Sequence, residues 1–218
     1  MRCVAAILAR NEADRYLKET IESLQPLCDK ILVLDDGSTD STIALSRSLG
    51  CEVRSREALQ PMWGQESTAR QQLWAWGSEE AGDGWLYISD SDHVTQCDPS
   101  DWRQMLTSWN VNAWAFPLLD LWDSPTTFRV DGFWQGYKTA RPWLFKPSVS
   151  GPQSWSDRGI HTGHCPQADW LVGLAERARI LHLGWMKESD RKEKYLRYAE
   201  VGDSLSPWEK SHLQTVLE

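Results

Sequence analysis

The feature that most limits the fold of this chain is a rhythm of short apolar runs alternating with amphipathic segments. Residues 3–9 (CVAAILA), 31–34 (ILVL) and 85–88 (WLYI) carry no polar break. A strand with one wet face alternates apolar and polar side chains, so unbroken runs of this length predict strands covered on both faces. Residues 13–24 place Tyr16, Leu17, Thr20, Ile21 and Leu24 near helical spacing, and Pro26 stops the helix. Residues 42–49 form a second helix, with N-cap residues before it and Gly50 after it, and residues 51–55 a further strand. Repeated strand–helix units predict parallel strands with right-handed crossovers and a ligand site beyond their carboxyl ends. Three polar segments fall at that edge: Arg10-Asn11-Glu12, Asp35-Asp36 and Asp90-Ser91-Asp92.

The remaining chain divides in two. Residues 65–76 read as a helix with Arg70 in its first two turns, either reaching an anion or lying solvated on the surface, and residues 79–84 as an acidic turn. Residues 99–109 form an amphipathic helix and 113–119 a strand. Beyond residue 120 the alternation breaks: residues 121–159 are rich in Trp, Pro, Gly and Ser, with short strands expected at 127–130 and 143–146. A last strand is expected at 179–183. A charged helix follows at 188–198, in which Lys192, Lys194 and Arg197 mix with Glu193 and Glu200, and a terminal helix at 207–217. The reading is a single domain, with a parallel half over 1–120 and a loop-rich half over 121–218.

Charge and cysteine usage narrow the partners. The net charge of −8 over 218 residues argues against a nucleic-acid binder, and an anionic ligand would need local basic groups or a metal. The five cysteines are scattered and form no CxxC pair, which fits a reduced, cytoplasmic protein. The first apolar run is too short to span a bilayer and reads as a strand rather than a signal peptide. No later segment is long enough either, so the expectation is a soluble protein with at most peripheral membrane contact.

Asp90 and Asp92 flank Ser91 at the end of an apolar run. An extended chain points residues i and i+2 to one side, so both carboxylates can address one point, as a hard divalent cation shared with substrate phosphates requires. The plain alternative is an acid pair that caps a turn. His161-x-x-His164-Cys165 has the first half of a zinc spacing but no second pair nearby. His182 sits in the apolar run ILHLGW, where a hydrogen-bonded core histidine is the ordinary outcome. Among the 14 tryptophans, Trp122, Trp134, Trp143 and Trp155 lie in the loop-rich half, as core or as platforms for a sugar ring.

The ordered segments ARNEADRYLKETIESL, ILVLDDGSTDST, ARQQLWAW and WLYISDSDHV resemble the family 2 inverting glycosyltransferases, well over residues 2–120 and thinly afterwards. The resemblance implies a GT-A fold, a three-layer α/β/α sandwich with a mostly parallel sheet and a loop-rich acceptor half. It implies a nucleotide-diphosphate sugar donor and a carbohydrate or other hydroxyl acceptor, with Mn²⁺ or Mg²⁺ as cofactor. Arg10, Asn11 and Glu12, with Asp35 and Asp36, would line the nucleotide, and Arg70 would assist the phosphates. Asp90-Ser91-Asp92 would be the DxD motif, with Asp92 the more direct metal ligand, and a late histidine, His161, His164 or His182, would complete the metal shell. The general base would be an acid of the second half, for which Asp157 and Asp131 are the candidates. Here the chain departs from the family: there is no Glu-Asp pair, and His161-Thr162 stands where relatives often read His-Glu. A non-catalytic carbohydrate- or nucleotide-binding relative on the same fold is therefore an alternative. A second is a haloacid-dehalogenase-type phosphatase using Asp90 and Asp92, though Asp35-Asp36 upstream is the wrong order for it.

Overall fold

Strand β1 (Cys3–Ala9) is buried over its whole length and divides the core in two. Its odd residues Cys3, Ala5, Ile7 and Ala9 face one apolar layer and its even residues Val4, Ala6 and Leu8 face the other. This is why the run needs no polar alternation. The computed structural model of the chain describes residues 1–56, 66–156, 163–200 and 205–217.

The first layer is built by α1 (Leu17–Leu24) and, further along the chain, α4 (Pro99–Leu106), through Leu17, Ile21, Leu24, Trp102, Met105 and Leu106. On the opposite face lies α3 (Glu66–Ala81), through Ala69, Leu73, Trp74 and Trp76. Between them runs a seven-stranded sheet. Its strands are β1, β2 (Lys30–Asp35), β3 (Glu52–Ser55), β4 (Trp85–Asp90), β6 (Ala113–Phe116), β8 (Arg141–Phe145) and β9 (Val172–Leu174). The order is β3-β2-β1-β4-β8-β6-β9, and only β8 pairs antiparallel to its neighbours. The helix α2 (Thr42–Ser48) joins β2 to β3. The fold is therefore a three-layer α/β sandwich around a mostly parallel sheet, as expected.

A second sheet of three strands was not expected. It contains β5 (His93–Gln96), β7 (Leu118–Asp120) and β10 (Arg179–His182), in the order β5-β10-β7. The single strand expected over 113–119 is broken at Pro117, which has no N–H to donate to a ladder. Its carbonyl accepts from Ile180 N instead, and the chain passes from the large sheet to the small one. β5 follows Asp92 at once, so the DxD segment is a tight link between the two sheets rather than the head of a long loop.

Other boundaries move for local reasons. α1 begins at Leu17, after four turn residues, and α3 runs on to Ala81, so Glu79 and Glu80 are helical. α4 ends at Leu106, leaving Trp109 93% exposed. No strand forms at 127–130, where Phe128 and Val130 are exposed and only Phe128 bridges Leu121. The charged helix α5 (Glu188–Glu200) and α6 (Pro207–Gln214) close the chain, the latter with a capping box between Ser206 and Glu209. Among the described residues no helix is long and apolar enough to cross a membrane.

Candidate active site

The carboxyl ends of β1, β2 and β4 open into one cleft of about 270 Å³. Asp36, one residue past β2, and Asp92, two past β4, both line it, with Arg10, Glu12, Arg70, Asp90, Ser91 and His182. Two loops are stapled together beneath it. Asn11, in the left-handed region at φ 54°, donates its N–H to Ser38 Oγ and accepts from Thr39 N through Oδ1 at 2.8 Å. Glu12 N donates to Thr42 Oγ1 at 2.8 Å and Ala13 N to Asp40 Oδ2. Asp35 is buried behind the cleft and accepts from the N–H groups of Gly37 and Ser38, and Gly37 takes the left-handed φ of 77° that this turn requires. Asn11 and Asp35 thus build the loops rather than line the cleft.

Asp36 is fully buried. Its Oδ1 is held by Arg56 Nε, and Arg10 donates to its carbonyl at 3.1 Å while standing 3.6 Å from Oδ2. Oδ2 accepts no hydrogen bond among the described residues. A buried acceptor left open is costly unless a partner arrives, and a donor N–H on a ligand supplies one.

His93 Nε2 stands 3.9 Å from Asp90 and 3.8 Å from Asp92, but the nearer partners of the two carboxylates differ. Arg70 Nη1 donates to Asp90 Oδ1 at 2.6 Å, and Arg70 also pairs with Glu66 at 3.3 Å. Burial works against the Asp90 charge, but Arg70 outweighs it and holds the carboxyl at about 2. Asp92 is likewise opposed by burial and rescued by Lys194, at 3.0 Å, and His182, at 3.3 Å, which hold it well below the usual carboxylate range. Lys194 comes from α5, as does Arg197, and Trp185 and Tyr198 complete that wall. Gly184 lies against this corner, where a Cβ would overlap both Asp92 Oδ2 and Lys194 Nζ, so a larger residue would make the pair shift.

Ligand atoms of Asp92, His93 and His182 lie within 4.8 Å of one another. That is close to the span across an ion bound at ~2.1 Å. His93 is held neutral, at about 4, by burial, which is the ligating form of an imidazole, and its Nδ1 has no hydrogen-bond partner among the described residues. One carboxylate with two imidazoles is a mixed set that suits a first-row ion such as Mn²⁺ better than the all-oxygen shell Mg²⁺ favours. The residues present therefore fit a divalent ion. Asp90, expected as a ligand, stands outside this set with one oxygen on Arg70.

Asp131 is exposed, pairs with Arg129 at 2.7 Å and does not line the cleft. Asp157 and His161 lie outside the described residues. His164 stacks flat on Trp143 at 3.7 Å and is not among the residues lining the cleft. Trp134 and Trp143 are buried, Trp122 and Trp155 half-buried, and none of the four lines the cleft. Sequence reasoning missed Arg15, Lys194, Arg197, Trp185 and Tyr198. The alternation of basic and acidic residues along α5 reads as a solvated face, and only the packing of that helix shows which positions turn inward. A larger groove of about 390 Å³, lined by residues such as Met105, Trp109 and Leu174, gathers no comparable set of metal-ligating groups among the described residues.

No protein-family model matches the chain. It is 28% identical over 212 residues to uncharacterized proteins of Mycobacterium bovis and Mycobacterium tuberculosis, an alignment that covers 90% of this chain and 50% of each relative. The chain thus spans about half the length of the curated relatives it matches. Among solved structures, it is similar to a mycobacterial protein with a TM-score of 0.41 and 26% identity, covering 55% of this chain and 41% of the other. Glucosyl-3-phosphoglycerate synthase from Mycobacterium tuberculosis, crystallised with Mn²⁺, UDP and glucosyl-3-phosphoglycerate, matches with a TM-score of 0.40 and 26% identity over 55% of this chain and 44% of that one. The same enzyme with Mn²⁺ and UDP-glucose matches with a TM-score of 0.40 and 25% identity over 55% and 43%.

Proposed function

We propose that this chain is a GT-A-type, family 2-like glycosyltransferase, moving a sugar from a nucleotide-diphosphate donor to a hydroxyl acceptor with inversion and with a divalent cation as cofactor. The observation that carries this reading is the meeting of Asp36 and Asp92, from loops after different strands, in one cleft with His182 and the cations Arg10, Arg15, Arg70, Lys194 and Arg197. Asp36 Oδ2 offers a buried acceptor for a base N–H. Asp92, His93 and His182 would hold the cation. When bound, that cation supplies Lewis-acid neutralisation of the charge on the departing diphosphate. Lys194 and Arg197, on the facing wall, meet the same charge. The acceptor hydroxyl must lose a proton as it attacks, and we assign that proton to Asp157.

A phosphatase reading needs Asp90 free as a nucleophile. Arg70 instead holds Asp90 in an ion pair and lowers its basicity. Titration with UDP and GDP, with and without Mn²⁺, tests the proposal by calorimetry. Metal-dependent binding is expected, lost in Asp92→Ala, while Asp36→Ala weakens binding even without metal. Unchanged affinity in both variants would remove the assigned site, and phosphate-ester turnover without nucleotide preference would favour the phosphatase.

A further inference from the structure

The small sheet places three ionisable residues in one row. His182 is the register partner of His93 across the antiparallel β5–β10 pair and of Asp120 across the parallel β10–β7 pair. The contacts follow the register. The His182 and His93 rings meet edge to face at 4.9 Å, and His182 Nδ1 lies 2.8 Å from Asp120 Oδ1. The other nitrogen, Nε2, faces Asp92 Oδ2 at 3.3 Å and Lys194 Nζ at 3.5 Å. Asp120 is mostly buried, with 12% of its side chain exposed, so its charge is not simply a solvated one.

We infer that Asp120 is a positioning residue for the cation site: it accepts the Nδ1 proton of His182 and so presents the Nε2 lone pair to a divalent ion shared with Asp92. The inference rests on the cation-dependent reading of the cleft. An imidazole binds a metal through a lone pair, and the tautomer that frees it is set by what the other nitrogen donates to. A carboxylate behind a ligating imidazole also raises its basicity, and losing such a partner typically costs about 10–100-fold in metal affinity. In this fold the pairing comes from strand register rather than loop conformation. The break at Pro117 that sends β7 into the small sheet is what brings Asp120 alongside β10.

The test is Mn²⁺ affinity, read from the free-ion signal in electron paramagnetic resonance, for the full chain alone and with excess UDP. The expected order is parent tightest, Asp120→Asn intermediate because the amide oxygen still accepts from Nδ1, and Asp120→Ala about 10–100-fold weaker. In a His182→Ala background, Asp120→Ala should cost nothing further, a non-additivity that general loosening of the sheet would not give. Should Asp120→Ala fail to fold, the Asp120→Asn comparison in both backgrounds carries the same test. Binding equal to the parent in the Asp120 variants, or full additivity with His182→Ala, overturns the positioning role while leaving the cation site in place. Failure of the parent itself to bind Mn²⁺ in either condition overturns the cation reading and this inference with it.

Discussion

Glu12 is the cleft residue whose charge is least settled. Burial, and then the nearby Asp92 carboxylate, lift it to about 7, against the pull of Arg15 and Lys194. A carboxyl raised in the folded state stabilises the fold fully below its unfolded value, near 4.5, and that contribution is lost as the pH rises through about 7. Glu12→Gln should therefore flatten the dependence of stability on pH across this window in the metal-free protein. Above pH 7 it should raise stability by on the order of 1–3 kcal/mol. Denaturant unfolding at several pH values checks this, and an unchanged pH profile would mean that Glu12 ionises freely. Asp157 makes a different demand. As the proposed proton acceptor it should matter to chemistry and not to donor binding, so Asp157→Asn should lower kcat by roughly 10²–10⁴-fold with UDP affinity unchanged. A parallel loss of UDP affinity would place it on the donor side instead.

Among the elements, α5 contributes most that a linear reading misses. Lys194 Nζ stands 3.0 Å from Asp92 Oδ2 and 3.5 Å from His182 Nε2, among the very donors a divalent ion would use. An ion entering there must displace the ammonium, which would then be free to meet a phosphate. Lys194→Met should bind Mn²⁺ about tenfold more tightly without nucleotide, about 1.4 kcal/mol, and bind UDP more weakly. Equal or weaker Mn²⁺ binding would show that the lysine does not compete for the slot. What made α5 illegible is that its inward and outward cations look alike in sequence: Lys192 is exposed and pairs with Glu188, while Lys194 is mostly buried. The parallel strands were legible because burial on both faces leaves a mark that needs no partner to be read. The acidic residues at their ends were legible because strand polarity places them. The small sheet was not, since its strands are three or four residues long and its register depends on residues up to 89 positions apart, as between His93 and His182.

At the scale of the whole molecule, the field and the site oppose each other. The chain carries a net charge of −8, which repels a nucleotide diphosphate at a distance. Inside the cleft, Glu12, Asp36, Glu66, Asp90 and Asp92 are met by Arg10, Arg15, Arg70, Lys194 and Arg197, so the cleft does not share the strong negative balance of the whole chain. These two contributions respond differently to salt. Screening over a Debye length of about 30 Å at 0.01 M and about 10 Å at 0.1 M removes the long-range repulsion first, whereas contacts of 3–4 Å in a partly buried cleft are screened much less. The association rate of UDP with the Mn²⁺-loaded protein should therefore rise, by roughly two- to tenfold, as salt increases over that range, and the dissociation rate should change less. Stopped-flow measurements on the two limbs separate the effects. A rate that falls with salt would mean that the cleft's own cations steer the ligand from a distance, and that the acidic surface lies where an approaching diphosphate does not feel it.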